Sequence, residues 1–299
     1  MMLTPPLRGA RDRLVSHTKT PRRYNYLGAL PFVLVHLAAL GALWSGVTPA
    51  AVICCVVLFF VRMFAVTGGY HRYFSHRTYK TSRVFQFVLA FLAQTTAQKG
   101  ALWWAAHHRQ HHRFSDQHGD LHSPVIDGFW YSHMGWLFNG TAATDYSKIP
   151  DFAAYAELRF LNRYHLLPPI AMGVATFLVL GWPGLFVGFF LSTVLTWHAT
   201  FTINSLSHVF GKRRFATTDD SRNNWLLALL TLGEGWHNNH HRFPASTRQG
   251  FYWWEVDITY YVLTVLSWFR IVWDLRPVPE RILEEGRMLD SGAVVVRPS

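Results

Sequence analysis

Three short groups of histidines hold the residue types of this sequence that could do chemistry. They lie in HRYFSH, HRQHH and HNNHH and comprise His71, His76, His108, His111, His112, His237, His240 and His241. On a helix, residues three and four positions apart share a face, so each of the last two groups can present three imidazoles in one direction. Neutral imidazole binds iron, copper and zinc, and eight converging rings exceed the four ligands of a tetrahedral zinc ion. The spacing therefore indicates a nitrogen-rich site for more than one metal ion.

Histidines also have simpler explanations than metal binding. One group alone would fit a pH-sensitive surface cluster, because histidine titrates near neutral pH. Three groups on one side of a membrane would make coincidence a poor explanation. Six other histidines are expected to pack, cap helices or support the metal ligands rather than bind metal: His107, His118, His122, His133, His165 and His198.

Two long uncharged stretches must position these groups. Half of the 299 residues are hydrophobic and 15% are charged, which is apolar for a soluble protein. Residues 24–61 and 166–204 contain no Lys, Arg, Asp or Glu, and each has turn-prone residues in its middle, SGVTP and GWPG. Each is about twice the ~20 residues that a helix needs to cross a bilayer. We predict two helical hairpins with four spans, at about 27–45, 49–67, 166–181 and 184–204.

Positive charge orients these spans. Six lysines and arginines precede the first hairpin, ten lie in 68–165 and eleven follow residue 204. The positive-inside rule then places both termini, the middle segment and all three histidine groups in the cytoplasm. Arg62 alone lies inside a span, and we expect its side chain to reach the interface. The net charge of +11 therefore marks a membrane-facing surface, and nucleic-acid binding is not expected, because no base-stacking motif accompanies the charge.

The predicted fold is an all-α integral membrane protein with four transmembrane helices in two hairpins, on which the cytosolic segments form a helical cap that holds a site for more than one metal ion. The i, i+5 spacing of His71 and His76 suits a helix that leaves the membrane and loosens there, and Gly68 and Gly69 fit a break just before it. Segments 84–98 and 255–273 are expected to form helices in the cap or at the interface. The predicted division is a basic N-terminal segment (1–24), a membrane domain (25–280) whose cap comprises 68–165 and 205–280, and a tail (281–299).

The histidine groups and their surroundings resemble the histidine boxes of the membrane-bound fatty acyl desaturases. The match is to the bacterial branch of the Δ9-type acyl-CoA and acyl-lipid enzymes, and it covers roughly residues 25–280. The resemblance is carried by GGYHRYFSHRTYKTS, QKGALWWAAHHRQHHRFSD, GFWYSHMGWLF, TFTINSLSH and DDSRNNWLLALLTLGEGWHNNHHRFP.

The resemblance implies a diiron centre between the membrane helices and the cap. In that family nine histidines bind the metals and an asparagine contributes through a water. The NSLSH stretch supplies the ninth histidine and the asparagine. The implied ligands are His71, His76, His108, His111, His112, His208, His237, His240 and His241, with Asn204 acting through water. Zinc is expected to replace iron readily in a purified sample, because imidazole binds both.

The implied reaction is an O2-dependent desaturation that places a cis double bond in a long-chain acyl thioester. Acyl-CoA and the Δ9 position are the expected carrier and site, and Trp104 and Phe59 the expected substrate contacts. Ala106 and His107 stand where animal acyl-CoA enzymes have an Arg-Asp pair, so acyl carrier protein and phospholipid stay open as carriers. The chain has no haem or flavin motif, so electrons would come from a ferredoxin, rubredoxin or cytochrome b5-like donor with its reductase.

Other functions use similar histidine groups. Alkane or fatty-acid hydroxylases and fatty-acid decarboxylases are related diiron membrane enzymes, and a non-catalytic membrane metal sensor is a further alternative. Whichever of these reactions it catalyses, the protein is expected in the bacterial inner membrane, with the active site facing the cytoplasm.

Overall fold

The computed structural model describes residues 24–139 and 143–292, and this part of the chain is almost entirely helical. The α-helices in chain order are α1 (Tyr26–Ala39), α2 (Ala42–Ser45), α3 (Pro49–Phe64), α4 (Arg83–Gln94), α5 (Ala101–Phe114), α6 (Pro124–Asp127), α7 (Phe129–His133), α8 (Pro150–Ala153), α9 (Ala156–Arg163), α10 (Leu167–Pro183), α11 (Ser192–Ser205), α12 (Trp225–Leu230), α13 (His237–Arg242), α14 (Ile258–Trp268) and α15 (Glu280–Asp290). The π-helices are Ala65–Ser75 and Gly184–Leu191, and the 3-10 helices are Gly135–Phe138, Tyr146–Lys148 and Leu206–His208.

Two short strands accompany these helices. Strands β1 (Lys80–Thr81) and β2 (Val272–Trp273) pair in antiparallel fashion, with Lys80 opposite Trp273. The all-α prediction did not include this pair of strands, because two-residue strands leave no periodic pattern in a sequence. The ribbon joins the chain after the first histidine group to the chain after α14.

Within the described residues, three helices are long and apolar enough to cross a membrane: Tyr26–Ser45, Pro49–Ser75 and Leu167–His208. They indicate a membrane protein. The third has 42 residues, and as a straight rod it would measure about 60 Å, roughly twice a bilayer's hydrocarbon core.

The third long helix is not straight, because it reverses at Gly181. This glycine has φ 64° and ψ −154°, a conformation that only glycine adopts without strain. Residues on either side of it then meet, since a Cβ added at Gly173 would lie 3.3 Å from the ring of Phe189. The reversal falls in the GWPG stretch that predicted a turn.

The helix loosens around His71 as expected, because it is a π-helix there, but the break expected at Gly68 and Gly69 is absent. The helix that begins at Pro49 continues through both glycines as the π-helix Ala65–Ser75. The glycines permit close packing: a Cβ added at Gly68 would lie 3.2 Å from the Phe64 ring and 3.6 Å from Cγ2 of Thr259. An apolar helix with an extra residue in its turns therefore carries the first histidine group directly into the cap.

The expectation that Arg62 reaches the interface is also wrong. Its side chain is 0% exposed, and Nη1 donates to Oγ1 of Thr193 at 2.8 Å and to the carbonyl of Thr95 at 3.3 Å. Nη2 donates to the hydroxyl of Ser192. A charged side chain within apolar helices faces the protein interior when partners are available there. Arg62 thus connects α3 with α11 and with the loop after α4.

The main hydrophobic core lies under the first two histidine groups. It joins the π-helix Ala65–Ser75 to α4, α5 and α9, with Tyr70, Phe74, Leu89, Leu102 and Leu158 fully buried. Helix α4 realises the helix predicted in 84–98; Ser82 caps its first turn by accepting a hydrogen bond from the Phe85 amide at 3.1 Å. This packing sets the distance between the π-helix and α5, which carry four of the predicted ligands, and His76 directly follows the π-helix.

The predicted terminal segments are only partly described. Segment 1–24 lies outside the described residues apart from Tyr24. Of the tail 281–299, residues up to 292 are described and form most of α15, whose Ile282 is buried against Phe215, Phe251 and Tyr252. Helix α15 therefore packs onto the rest of the fold, whereas the predicted boundary at 280 and 281 separated it.

Candidate metal centre

The nine histidines that the sequence predicted as ligands come together in two groups. In each group one nitrogen from every ring lies within 4.8 Å of the others. The five-histidine group comprises His71, His76, His108, His112 and His240, and the four-histidine group comprises His111, His208, His237 and His241. The structure thus brings together side chains that lie up to 169 positions apart within one group, as His71 and His240 do.

Helices α5 and α13 run between the two groups and contribute to both. On α5, His108 and His112 belong to the five-histidine group and His111 to the other. On α13, His240 belongs to the five-histidine group, and His237 and His241 to the other. Successive side chains on a helix point about 100° apart, so neighbours such as His111 and His112 diverge. The expectation that each triplet points in one direction is therefore wrong in detail: each triplet is shared.

Imidazole nitrogens face one another directly inside the groups. The Nε2 atoms of His76 and His108 lie 2.9 Å apart, and those of His112 and His240 also 2.9 Å apart. In the four-histidine group, the Nε2 atoms of His208 and His237 are separated by 3.1 Å.

Four buried carboxylates orient the rings from behind. Nδ1 of His111 lies 2.9 Å from Asp120, that of His208 2.8 Å from Asp116, that of His241 2.6 Å from Asp219, and that of His71 2.5 Å from Glu234. A carboxylate can only accept, so each Nδ1 carries the proton and Nε2 keeps its lone pair. This tautomer is the one that metal-binding histidines adopt when a carboxylate supports them.

Burial keeps several of the ligand rings neutral, whereas nearby carboxylates, Asp120 first among them, raise the pKa of His111. Burial lowers the pKa of His108, His112, His237 and His240 well below the usual value, and nearby imidazoles lower it further. Burial lowers the pKa of His241 to about 4 in spite of the opposing Asp219 charge. These rings are therefore uncharged at pH 7 and can bind a cation through a lone pair.

The two groups fit metal ions. Nδ1 of His237, Nδ1 of His240 and Nε2 of His241 are buried without a hydrogen-bond partner among the described residues, a costly state for polar atoms. Facing lone pairs at about 3 Å also repel one another unless a positive charge lies between them. A cation in each group would relieve this repulsion, and in the four-histidine group it would give Nε2 of His241 a partner. Imidazole suits iron, copper and zinc.

Two cavities meet beside these groups. The larger, of about 540 Å³, is bounded by α1, α10, α11 and the π-helix Gly184–Leu191, and its walls are mainly apolar and aromatic. The smaller, of about 40 Å³, is bounded by the π-helix Ala65–Ser75 and α11. Both are lined by Trp104, His108, Thr200 and Asn204. These four residues thus form the junction of an apolar passage with the five-histidine group.

The remaining predicted site residues have distinct places. Trp104 lines the junction and stacks on His108 with ring centroids 4.8 Å apart. Asn204 lines the junction as well, one turn before His208. Phe59 lines neither cavity; it packs in a cluster with Met63, and Met63 lines the smaller cavity.

The six other histidines have supporting positions. His107, His122 and His165 line the larger cavity; His122 also lies with His111 and Asp120 in a third cluster of ligand atoms. His133 and His198 form a hydrogen-bonded chain with His36: Nε2 of His133 lies 3.0 Å from Nδ1 of His198, whose Nε2 lies 3.0 Å from Nε2 of His36. His118 is exposed and belongs to none of these clusters.

Sequence reasoning missed the four carboxylates that hold the rings. Asp116 and Asp120 follow the second histidine group within eight residues, and Glu234 precedes the third by three. An acidic residue close to a histidine group was therefore a usable signal for three of them. Asp219 lies 18 positions before His237 and could be found only by folding the chain.

Replacing Asp219 with asparagine should weaken metal binding by roughly 10- to 100-fold. Asparagine keeps the shape but removes the negative charge that makes His241 a strong ligand. The measurement is metal affinity by competition with a chelator of known strength. Asp220→Asn is the matched control, because the Asp220 side chain pairs with the half-exposed Arg213. Equal affinities in the two variants would contradict a role for Asp219.

Comparison with known proteins agrees with this geometry. The family model described as fatty acid desaturase matches residues 47–265. The sn-1 stearoyl-lipid 9-desaturase of Anabaena variabilis is 35% identical over 254 residues, which cover 84% of this chain and 93% of that protein. The acyl-CoA 5-desaturase AL21 of Anemone leveillei is 36% identical over 224 residues, covering 74% and 69%.

A third relative is the chloroplastic palmitoyl-monogalactosyldiacylglycerol delta-7 desaturase of Arabidopsis thaliana. It is 35% identical over 254 residues, covering 83% of this chain and 68% of that protein. The matched region 47–265 contains both histidine groups and the residues at the cavity junction. The chain is therefore an oxidoreductase that belongs to the fatty acid desaturase family.

Proposed function

We propose that this chain introduces a cis double bond into a long-chain acyl group, with O2 as oxidant and a diiron centre held by the two histidine groups. The observation that carries the proposal is the junction of an apolar passage with the five-histidine group at Trp104, His108 and Asn204. Iron, when bound, would supply the O2 chemistry that removes two hydrogens from an unactivated CH2–CH2 pair, which no side chain can do alone.

The overall reaction needs electrons and protons from outside the substrate. One CH2–CH2 pair, one O2, two electrons and two protons give one CH=CH and two waters. The electrons would come from a ferredoxin, rubredoxin or cytochrome b5-like donor with its reductase, docked on the cytosolic cap.

The chain's own residues would hold and orient both reactants. The nine histidines bind the metal ions, Asn204 contributes through a water, and the four carboxylates fix the rings. The apolar walls would keep water out and hold one methylene pair near the five-histidine group. The position of the acyl chain in the cavity would then determine which two carbon atoms react. Trp104, stacked on His108, would form the wall at that point.

We place these elements in the bacterial inner membrane as two hairpins with four spans. Support comes from the three long apolar helices, from the reversal of the third at Gly181 and from the charge distribution. Both termini and the cap would face the cytoplasm, and the membrane domain would comprise residues 25–280. The Arg62 contacts would then tie the two hairpins together.

Acyl-CoA is the proposed carrier and Δ9 the proposed position, with acyl carrier protein or phospholipid as alternatives. The relatives include enzymes named for acyl-CoA and enzymes named for acyl lipids. The absence of the Arg-Asp pair at Ala106 and His107 leaves this choice to experiment.

The function is tested by profiling the fatty acids of a host that expresses the chain. Mass spectrometry with double-bond localisation should find a new cis alkene of unchanged carbon number, absent from a His108→Ala variant. A hydroxylated acyl chain or a hydrocarbon shortened by one carbon would replace the proposal with a hydroxylase or a decarboxylase.

The Phe59→Ala substitution should shift the products toward longer acyl chains. Phe59 supports Met63, which lines the smaller cavity, so its removal gives a methyl end more room. One methylene in an apolar pocket changes discrimination by about tenfold or more. The measurement is the ratio of C18 to C16 products; Phe60→Ala, at a half-exposed neighbour, is the control. An unchanged ratio would reject the role of Phe59.

A further inference from the structure

Lys99 is the single fully charged side chain among the described residues that line the larger cavity. The other lining residues are apolar, aromatic, amide, hydroxyl or histidine side chains. Lys99 is partly buried, and burial is the one cause that shifts its pKa, which it lowers. No hydrogen bond or ion pair joins its ammonium to another residue in the described ranges 24–139 and 143–292. Partial burial without a counter-charge disfavours the charged form of this ammonium, and a bound anion would favour it.

The backbone around Lys99 is held in a strained conformation. Ala97 and Lys99 have φ of 57° and 69°, in the left-handed region that residues with a side chain seldom adopt. Such strain persists where the surroundings impose it, and it concentrates at functional sites.

Three buried donors impose this conformation. Tyr70 Oη donates to the Lys99 carbonyl at 2.7 Å, Trp197 Nε1 to the Thr96 carbonyl at 2.6 Å, and Arg62 to the Thr95 carbonyl at 3.3 Å. Arg62 and Tyr70 lie on the continuous helix Pro49–Ser75 and Trp197 lies on α11, so the loop is fixed from two sides. Lys99 is therefore presented at a fixed place on the cavity wall.

Lys99 lies at the end of the cavity where helices begin. The cavity wall there includes Gly28 in the first turn of α1 and His165 just before α10. Lys99 and His165 line the same cavity, and the charge of Lys99 adds to burial in lowering the pKa of His165. The wall farther along α1 and α10 is formed by Val35 and Val174. The ammonium thus stands where the polar end of an acyl carrier would meet the protein.

We propose that Lys99 binds a phosphate group of the acyl carrier at the mouth of the larger cavity. This inference rests on the function proposed above, because it assigns the acyl chain to the same cavity. A phosphate fits the observations because it is permanently charged, accepts several hydrogen bonds from one ammonium and is common to phospholipids, CoA and the prosthetic group of acyl carrier protein. Lys99 would then determine which carriers are accepted, while the apolar wall accepts the chain.

The test measures carrier binding to the purified full-length protein without an electron donor, so that no turnover is needed. The probes are stearoyl-CoA, distearoyl phosphatidylglycerol, an uncharged distearoyl galactolipid and free stearate, each scored by native mass spectrometry. Lys99→Met should weaken binding of at least one phosphate-bearing probe by about tenfold or more, because a charge-assisted hydrogen bond is lost. Binding of the galactolipid should not change, and Lys99→Arg should retain the preference for phosphate.

The two phosphate-bearing probes distinguish the source of the group. Dependence on Lys99 with phosphatidylglycerol alone identifies a membrane phospholipid, and dependence with stearoyl-CoA alone identifies a thioester carrier. Lys80→Met is the matched control, because it removes one positive charge from an exposed pair with Asp274.

Three results would overturn the inference: no dependence on Lys99 for either phosphate-bearing probe, an equal loss for the galactolipid, or a loss confined to stearate. The last would assign Lys99 to a carboxylate. These results are independent of the proposed function, because the fatty-acid profile of the host is measured separately. Alkene formation with no binding preference would reject the Lys99 site alone.

Discussion

Replacing His208 with alanine should leave the protein with about half of its bound metal and no measurable alkene product. His208 belongs to the four-histidine group, and its loss leaves His111, His237 and His241 as ligands. It also leaves Asp116 as a buried carboxylate without its histidine partner, which costs further binding energy. The five-histidine group keeps all its ligands, so the metal ion held there should stay.

The corresponding change in the five-histidine group is His76→Ala. It should also lower the metal content to about half, because His76 contacts His108 at 2.9 Å and no ligand of the other group. Metal content is measured by inductively coupled plasma mass spectrometry on protein in nanodiscs, and product by fatty-acid analysis.

His118→Ala is the control for both variants, since His118 is exposed in the same region of the chain and lies in neither group. Its metal content and activity should match those of the unmodified protein. Full metal content in the His76 or His208 variant would contradict the assignment of that histidine, and complete loss of metal from either would show that the two groups do not bind independently.

The clustering of the nine histidines could be predicted because few features had to be right. The uncharged stretches predicted an even number of crossings between the second and third histidine groups, and the NSLSH stretch supplied His208 through the resemblance. How α5 and α13 rotate against each other was not predictable. Helix geometry makes His111 and His112 diverge, but the rotation of α5, which core residues such as Leu89 and Leu102 set, decides which group each ring joins.

Predictions from local sequence were wrong where contacts with distant residues determined the conformation. Gly68 and Gly69 predict a break by their conformational freedom, yet the π-helix uses their small size for packing against Phe64 and Thr259. The position of Arg62 near the end of a predicted span favours a side chain that reaches the interface. Instead, Ser192 and Thr193, far along the chain, provide its hydrogen-bond acceptors. In both cases the deciding partner lies more than 100 positions away from one of the residues concerned.

Replacing Thr200 with tryptophan should abolish desaturation and leave the metal content unchanged. Thr200 lines both cavities, and its hydroxyl accepts a hydrogen bond from Gln98 at 3.3 Å. An indole there would fill the junction with a large rigid ring, so an acyl chain could no longer reach the five-histidine group. Thr200 is not among the predicted ligands, so this variant separates access of the substrate from assembly of the metal site.

Leu195→Trp is the matched control, because Leu195 lies on the same helix, is 46% exposed and lines neither cavity. It should retain both metal and activity. Activity of the Thr200 variant near that of the control would show that the acyl chain does not pass this junction. Loss of metal together with activity would show instead that the substitution disturbs the histidine groups. The Thr200→Val variant, which removes only the hydroxyl, then provides the test. It should remain fully active if the junction serves as a passage.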